Sequence, residues 1–288
     1  MKILLLGSKG QLGTDFQKVI DAKILKAVDY PEVDVTDKAS VEKLIEQVKP
    51  EIVINTSAYN RVDDAEEKWQ EALAVNLGGV KNLCDACEKQ NCVLVHFSTD
   101  YVFGADSTRK EPYSEQDRPG PVNMYGVSKL AGEYALQYRL QKYFLIRTSG
   151  LFGTAGSLGK GGNFVETMIR LGKEKGKVKV VSDQVLTPTY TLDLARNTFE
   201  LIKTKSFGLY HATSQGQCSW YEFARKIFEL LNLSVECIPC ASAEFPSAAR
   251  RPAYSVLENR RLKELGLDRM QDWEAALRGY LQEKGYLG

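Results

Sequence analysis

Short apolar runs recur along the chain and are separated by segments of helix length. The runs read KILLL, AKILKAV, EIVINT, CVLVHFS, YFLIRTS and KVKVV. An apolar run with no polar face is typical of a strand buried on both sides in a parallel sheet. Between the runs, segments such as ASVEKLIEQVK and KLAGEYALQYRL repeat apolar residues at helical spacing. The pattern predicts an α/β fold with a doubly wound parallel sheet and helices on both faces.

One of these strands ends in polar residues. The run VLVHF leads directly into Ser98, Thr99 and Asp100. Polar groups destabilise a core unless they leave it or find partners, and in an open α/β sheet ligands bind at the carboxyl ends of the strands. We therefore expect chemistry at this strand tip.

The first predicted strand is followed by three evenly spaced glycines. Gly7, Gly10 and Gly13 form a G-x-x-G-x-x-G spacing at the start of a predicted helix. Glycines there allow a tight turn and a close approach of the backbone to a pyrophosphate, and the helix N-terminus favours negative charge. The spacing differs by one residue from the best-known dinucleotide fingerprint, so a tight turn without a ligand is the alternative. We predict a dinucleotide site.

Acidic residues follow the second predicted strand. Asp29 lies about where an acid meets the adenosine ribose, and Asp34 with Val35 is placed to flank the adenine ring, although the same stretch also has the form of a helix cap. An acid at Asp29 favours NAD, whereas nearby lysines tolerate the 2′-phosphate of NADP. Both cofactors stay open.

Tyr125 and Lys129 stand four residues apart at the head of a predicted helix. This spacing puts both side chains on one face, where the ammonium can stabilise a phenolate. A tyrosine with its ordinary pKa near 10 is poorly matched to proton transfer at neutral pH, so such a catalyst requires a nearby cation. Taken alone, the pair is more typical of a helix surface.

Composition and charge exclude two classes of partner. Lys and Arg number 38 against 37 Asp and Glu, which leaves no basic field for nucleic acid or an anionic membrane. The early apolar run KILLLG is too short for a membrane span or a secretory signal. We expect a cytoplasmic protein that binds neither nucleic acid nor membrane.

The six cysteines include two Cys-x-x-Cys pairs, Cys84/Cys87 and Cys237/Cys240. Such pairs can bind zinc, but these two are further apart than in a zinc ribbon, and the first lies in a helical pattern. Reduced cysteines usually pack as small hydrophobic side chains. We expect buried free thiols and no metal site.

The glycine loop, the Tyr-x-x-x-Lys helix and the hydroxyl residue at the fourth-strand tip together resemble the extended short-chain dehydrogenase/reductase superfamily. The stretches HFSTDYVFG, NMYGVSKLAGE, IRTS, GGNFVETM, SDQVLTPTYTLDLA and ARRPAYSVLEN resemble the dTDP-4-dehydrorhamnose reductases over nearly the whole chain. The resemblance implies a Rossmann-type fold and NAD(P)H-dependent reduction of the C4 carbonyl of a nucleotide-activated deoxysugar, dTDP-4-dehydro-L-rhamnose. Dehydratases of this superfamily usually carry Asp-Glu after the threonine, whereas Asp100 is followed by Tyr101, which favours simple reduction.

The resemblance also implies a role for each matching residue. Tyr125 supplies a proton to the developing alkoxide, Lys129 holds the nicotinamide ribose and lowers the tyrosine pKa, and Thr99 hydrogen-bonds the carbonyl. Further cofactor contacts are implied for Gly10, Gln11, Leu12, Asp34, Val35, Ala58, Tyr59 and Asn60. Substrate contacts are implied for Asp100 and Gly150 on the sugar side and for Asn163 and Arg251 at the nucleotide end. For the last two, a helix cap and a surface arginine are the alternatives.

The chain changes character near residue 150, where the glycine-rich segment GTAGSLGKGGNF begins the last half. We expect residues 1–149 to form the NAD(P)-binding domain, with 177–205 returning to it. Most of 150–288 is expected to form a smaller C-terminal substrate-binding lobe.

The match departs from the better-known reductases at two positions. Gly150 stands where they have a tryptophan over the sugar, and Leu186 stands where many have glycine. The sugar therefore stays open, as do a related sugar-nucleotide reductase, an epimerase, and a non-catalytic cofactor-binding subunit, because fold alone does not establish function. A homodimer and a magnesium ion at a subunit interface also stay open.

Overall fold

Strands from both halves of the chain form one parallel sheet. A computed structural model describes residues 1–156, 162–245 and 247–288. The strands in these ranges are β1 (Ile3–Leu6), β2 (Leu25–Val28), β3 (Ile52–Asn55), β4 (Val93–Thr99), β5 (Tyr143–Thr148), β6 (Leu151–Phe152), β7 (Lys177–Val181), β8 (Val185–Leu186), β9 (Thr189–Tyr190), β10 (Gly208–His211), β11 (Cys218–Ser219) and β12 (Glu236–Cys240). Six of them pair in parallel in the order β10-β5-β4-β3-β1-β2. The predicted doubly wound parallel sheet is confirmed.

Helices connect the strands and cover the sheet. The α-helices are α1 (Gln11–Val19), α2 (Lys38–Val48), α3 (Asp64–Glu67), α4 (Trp69–Leu73), α5 (Val80–Gln90), α6 (Met124–Arg139), α7 (Phe164–Lys175), α8 (Thr191–Leu201), α9 (Trp220–Leu230), α10 (Arg260–Glu264) and α11 (Trp273–Glu283). A π-helical segment (Ala74–Gly79) precedes α5, and 3₁₀ turns lie at Asp100–Val102 and Ser242–Glu244. Side-chain caps define several helix starts because the first N–H groups of a helix have no partner within it. Ser219 and Glu222, for example, form a capping box at α9.

Two apolar layers bury the two faces of the sheet. Successive side chains of a strand point to opposite faces. Accordingly, Ile3 and Leu5 pack in the layer that contains residues of α1 and α8, and Leu4 and Leu6 pack in the layer that contains residues of α2 and α5. All four are essentially inaccessible to solvent, and burying a side chain of this size stabilises a fold by roughly 1.5–3 kcal/mol. The sheet is thereby a rigid support for the loops at its carboxyl edge.

A third apolar cluster joins α7, α9 and α11 in the second half of the chain. Strand β7 pairs with β12 beside this cluster, whereas α8 packs against α1 and β10 adds to the sheet. The division near residue 149 stays our proposal. Helix α8, which lies within 177–205, and strand β10, which follows that range, return the chain to the sheet. Strand β7, at the start of 177–205, packs with the third cluster instead.

All six cysteines are free, and five are buried while Cys237 is half-buried. Cys84, Cys87 and Cys92 pack in the core of the sheet, where burial raises the pKa of Cys84 to about 12. The expected packing of thiols as small hydrophobic groups is confirmed there. In the described ranges no three His, Cys, Asp or Glu side chains cluster as a metal site would require. None of the described helices has both the length and the apolar character needed to cross a bilayer.

Candidate active site

The loop between β1 and α1 is held tight by its glycines. Gly7 has a φ of +77°, in the left-handed region that favours glycine. A Cβ on Gly13 would lie 2.1 Å from the carbonyl oxygen of Gly7, so this position excludes a side chain. Gly10 is the N-cap of α1, and no side chain caps the helix. The N–H groups of its first turn are therefore left to an anion such as a pyrophosphate.

The two residues after Gly10 turn their side chains into the protein. Leu12 is buried in the core, and Oε1 of Gln11 accepts a hydrogen bond from the N–H of Gly153 at 2.9 Å. Because both side chains are engaged, the predicted cofactor contacts at these positions fall to the backbone.

Asp29 braces the phosphate loop. Its Oδ2 accepts the N–H of Lys9 at 2.7 Å, which ties the end of β2 to the glycine turn. Further on, Oδ1 of Asp34 accepts both the N–H and the hydroxyl of Thr36, an Asx turn, and the side chain of Val35 is buried. Asp29 therefore has a structural task in addition to the predicted ribose contact.

The AYN stretch after β3 is tied to the helices that follow it. Ala58 is exposed, and Tyr59 and Asn60 are half-buried. The side chain of Asn76 accepts the N–H of Tyr59 at 3.0 Å, donates to its carbonyl at 3.0 Å, and donates to the Ser128 hydroxyl of α6 at 2.9 Å. One buried amide thus sets the position of the predicted cofactor loop relative to α6.

At the tip of β4, Asp100 is almost completely buried and receives three hydrogen bonds. Its Oδ2 accepts from Ser255 at 2.6 Å and from Ser149 at 2.9 Å, and Thr99 donates to Oδ1 at 3.1 Å. Burial raises the pKa of Asp100 to about 6, even though these hydroxyl donors favour the carboxylate. The carboxylate of Asp100 is therefore satisfied inside the protein, whereas the hydroxyl of Ser98 is buried without a hydrogen-bond partner among the described residues.

Tyr125 lies in the first turn of α6, beside the strand tip. Asn123 caps the helix by accepting a backbone N–H at 2.8 Å. Thr99 lies near enough to act on the pKa of the Tyr125 phenol, and the Tyr101 ring packs edge-on against the Tyr125 ring with centroids 5.9 Å apart. The fold thus brings together the two residues predicted to donate the proton and to contact the carbonyl.

Lys129 is one turn further along α6 and is 2% exposed. Its Nζ donates to the carbonyl of Phe97 at 2.6 Å and lies 3.5 Å from Nε2 of His96. Burial lowers the pKa of Lys129 to about 8, with the negative charge of Glu133 acting in the other direction.

The surroundings of Tyr125 raise the pKa of its phenol. Burial raises the pKa of Tyr125 to about 12, and the opposing effect comes from Thr99. Nζ of Lys129 donates to the carbonyl of Phe97 in β4, and the lowering of the tyrosine pKa by Lys129 stays a prediction. In the protein by itself, Tyr125 is a protonated acid.

Arg251 reaches across from the loop after β12. It forms an ion pair with Asp63 at 2.7 Å. Arg251, Asp63 and Tyr101 line a cavity of about 1410 Å³, whose lining also includes Phe164 and Trp220 with ring centroids 4.6 Å apart. Aromatic rings and an arginine in the lining of one cavity suit a ligand with a planar base and negative charge.

Gly150 and Leu186, the two departures noted in the sequence, are in contact. Gly150 has a φ of +54°, and a Cβ there would lie 2.8 Å from Cδ1 of Leu186. Leu186 therefore fills the space next to residue 150. The two departures therefore form one packing unit, in which the side chain at 186 occupies the space that a side chain at 150 would need.

Asn163 is the N-cap of α7. Its Oδ1 accepts the N–H of Glu166 at 3.0 Å, and its Nδ2 donates to the carbonyl of Gly153 at 2.9 Å. The capping alternative therefore describes its contacts, and its contact with a nucleotide stays a prediction.

The structure adds residues that sequence reasoning missed. Ser149, Ser255 and Asp63 hold predicted site residues, and His96 with Asn55 lies behind Lys129. Ser149 and Ser255 do fall in the stretches IRTS and ARRPAYSVLEN, but no spacing rule connects them to Asp100.

The chain matches known proteins over nearly its whole length. The family model described as the RmlD substrate binding domain matches residues 1–285. The dTDP-4-dehydrorhamnose reductase of Mycolicibacterium smegmatis is 37% identical over 96% of this chain and 84% of its own. A crystal structure of a dTDP-4-dehydrorhamnose reductase from Clostridium acetobutylicum is 41% identical with a TM-score of 0.93, and the match covers 99% of this chain and 100% of that one. The Bacillus anthracis reductase, solved in complex with NADP, is 39% identical with a TM-score of 0.93 over 98% and 100% of the two chains.

Proposed function

Because the chain belongs to the RmlD substrate binding domain family, we propose that it is an NAD(P)H-dependent reductase that converts dTDP-4-dehydro-L-rhamnose to dTDP-L-rhamnose. The observation that carries the proposal is the placement of Tyr125 beside the Thr99–Asp100 tip of β4, where Thr99 acts to lower the pKa of the phenol. Similar proteins over 95% of this chain or more are named for this reaction, and the Bacillus anthracis complex supports a nicotinamide cofactor.

The residues fit a dinucleotide. The glycines at 7 and 13 let the turn pack closely on its own backbone and on the residues after β3, and α1 begins without a side-chain cap, which leaves its first N–H groups to an anion. NADPH or NADH, when bound, supplies the hydride. The residues that would hold it are Gly7, Gly10, Gln11, Leu12, Gly13, Asp29, Asp34, Val35, Ala58, Tyr59 and Asn60, with Tyr125 and Lys129 on the ribose side.

Tyr125 holds the proton that the product alcohol needs. Its pKa of about 12 keeps the phenol protonated at neutral pH, and an alkoxide is a stronger base than a phenolate, so the transfer is favourable once the alkoxide forms. The hydroxyl of Thr99, which donates to Asp100 in the protein by itself, would turn to donate to the same oxygen of the sugar. Lys129 keeps its Nζ on the carbonyl of Phe97, with hydrogens left for a ribose hydroxyl.

The substrate side follows from the cavity. Arg251, Phe164 and Trp220 supply charge and aromatic surface for the nucleotide. Tyr101 also lines the cavity and packs on Tyr125, which connects the cavity to the strand tip where Asp100 would meet the sugar. Gly150 leaves the sugar side without a large side chain at that position.

Two expectations about the cellular form belong to the same proposal. The enzyme acts in the cytoplasm, and it forms a homodimer with a magnesium ion at the interface. Sedimentation velocity with magnesium and with a chelator tests the assembly. A single monomer species under both conditions would contradict both the proposed dimer and the proposed interface ion.

The reaction is tested by incubating pure protein with dTDP-4-dehydro-L-rhamnose (dTDP-4-dehydro-6-deoxy-L-mannose) and following the absorbance of NADPH and of NADH in separate assays. Net oxidation supports the reductase and identifies the preferred cofactor. Isomer exchange without net oxidation identifies an epimerase. Cofactor binding without turnover on this or related nucleotide sugars identifies a non-catalytic subunit.

A matched pair of tyrosine variants tests the proton donor. Tyr125→Phe is expected to lower kcat by about a hundredfold or more and to leave cofactor affinity nearly unchanged, because it removes only the transferable proton. Tyr134→Phe, on the exposed side of the same helix, is the control and is expected to retain full activity. Near-normal turnover in Tyr125→Phe would rule out the assigned acid.

A further inference from the structure

A chain of buried polar groups lies behind Lys129. Asn55 and His96 are neighbours on the paired strands β3 and β4, and each is 2% exposed or less. The Oδ1 of Asn55 accepts the N–H of Ser57 at 3.0 Å, and its Nδ2 lies 3.1 Å from Nδ1 of His96. The Nε2 of His96 in turn lies 3.5 Å from Nζ of Lys129.

This chain determines which nitrogen of His96 carries the proton. A backbone N–H can only donate, so the Asn55 atom next to Ser57 is the oxygen, and the atom that faces His96 is the NH₂ group. Nδ1 of His96 must therefore accept. Burial, followed by the charge of Lys129, lowers the pKa of His96 well below its ordinary value, so the ring is neutral. A neutral ring that accepts at Nδ1 carries its proton on Nε2, facing Lys129.

We propose that Asn55 and His96 are positioning residues of the reductase: Asn55 fixes the tautomer of His96, and the Nε2–H of His96 opposes the ammonium form of Lys129. An N–H directed at an ammonium is unfavourable, whereas the lone pair of an amine can accept it. The proposal rests on the function proposed above. As a consequence of this contact, His96 sets the pH at which Lys129 loses its charge. Activity falls at that pH on the alkaline side of the pH profile.

The other charged groups around Lys129 do not replace this effect. Glu133, one turn along α6, favours the ammonium, but its carboxylate is bound by Arg147 of β5 at 2.6 Å. His96 is the titratable group that faces Lys129 from β4. Among the described contacts of Nζ, the carbonyl of Phe97 accepts and His96 opposes.

The tautomer can be read directly because the chain has only two histidines. Nδ1 of His211 lies 3.0 Å from the carbonyl of Tyr113, so that ring carries its proton on Nδ1. Long-range ¹H–¹⁵N NMR of the full-length protein is expected to show one neutral ring protonated at Nε2 and the other at Nδ1. Two rings protonated at Nδ1, or a His96 that is charged near neutral pH, would overturn the proposal. This measurement needs no substrate, so it stands apart from any failure of the proposed reaction.

Asn55→Asp reverses the tautomer. A carboxylate still accepts the N–H of Ser57 but also accepts from Nδ1 of His96, which leaves Nε2 free to accept from Lys129. We expect the Nδ1-proton signature for His96 and an alkaline limb of kcat that moves up by about one pH unit. The titration of Lys129, followed by NMR of ¹³Cε-labelled lysine and assigned by its loss in Lys129→Met, should move with it. A reversed tautomer with an unmoved Lys129 titration would refute the coupling.

Thermal unfolding and cofactor titration of Asn55→Asp are the controls for damage to the fold. If the variant does not fold, the wild-type tautomer measurement still decides whether the Nε2–H faces Lys129.

Discussion

Asp100 allows a test of how much a buried carboxylate at the strand tip lowers the free energy of unfolding. Its Oδ2 accepts from two serines and its Oδ1 from Thr99. Asn fits this arrangement: its amide oxygen can accept from Ser149 and Ser255, and its NH₂ group can donate to the oxygen of Thr99. Asp100→Asn therefore removes the buried charge while keeping the hydrogen-bond pattern.

The magnitude follows from the pKa of Asp100, which burial raises from 3.8 to about 6. Each pKa unit corresponds to about 1.36 kcal/mol, so above pH 6 the buried carboxylate destabilises the folded protein by about 3 kcal/mol. As pH falls through 6, the folded state binds a proton that the unfolded state does not yet bind. The stability contributed by this group therefore rises as pH falls from about 6 to about 3.8. Asp100→Asn has no such dependence.

The assay is reversible urea unfolding of wild type and Asp100→Asn at about pH 8 and about pH 5 under reducing conditions. We expect the variant to be more stable at the higher pH and its advantage to shrink by roughly 1 kcal/mol at the lower pH. The difference in the free energy of unfolding between the two proteins is the quantity to compare, because the other titrating groups contribute equally to both.

Asp117→Asn is the control for this pH dependence. Burial acts to raise the pKa of Asp117, but hydrogen bonds from Ser114 and the charge of Arg109 outweigh it and lower the pKa. Its stabilising effect is lost only below its ordinary pKa, so Asp117→Asn should lose the same stability at both pH values. An Asp100→Asn advantage that is equally constant with pH would refute the assigned burial penalty.

Three further predictions concern the loops and the lysine. Gly13→Ala should weaken NADPH binding at least tenfold in a fluorescence titration, because its Cβ meets the carbonyl of Gly7; unchanged affinity would contradict this. Gly150→Ala should lower the free energy of unfolding by about 1–3 kcal/mol, and Leu186→Ala should restore part of it in the double variant; strictly additive losses would contradict the packing unit. Lys129→Met should lower both cofactor affinity and kcat, and an effect on neither would contradict its placement on the ribose.

Much of the fold and part of the site could be predicted from the sequence because they depend on local chain properties. Buried strands such as β1 are visible as apolar runs, and the tight turn at Gly7 and Gly13 is visible as glycine spacing. The pairing of Thr99 with Tyr125 was predictable because a strand tip and the head of the next helix lie at the same edge of a parallel sheet.

Tertiary structure decided the environment of these residues. Ser149 and Ser255 lie 49 and 155 residues from Asp100 in the chain, and only folding brings their hydroxyls onto its carboxylate. The direction of Lys129, toward the backbone of β4, likewise depends on how α6 packs. A sequence names the ionisable groups, but their pKa values depend on burial and on partners from distant segments. Sequence alone therefore indicated that Thr99, Asp100 and Tyr125 lie at the strand tip, and the packing around them decided their partners and their charge.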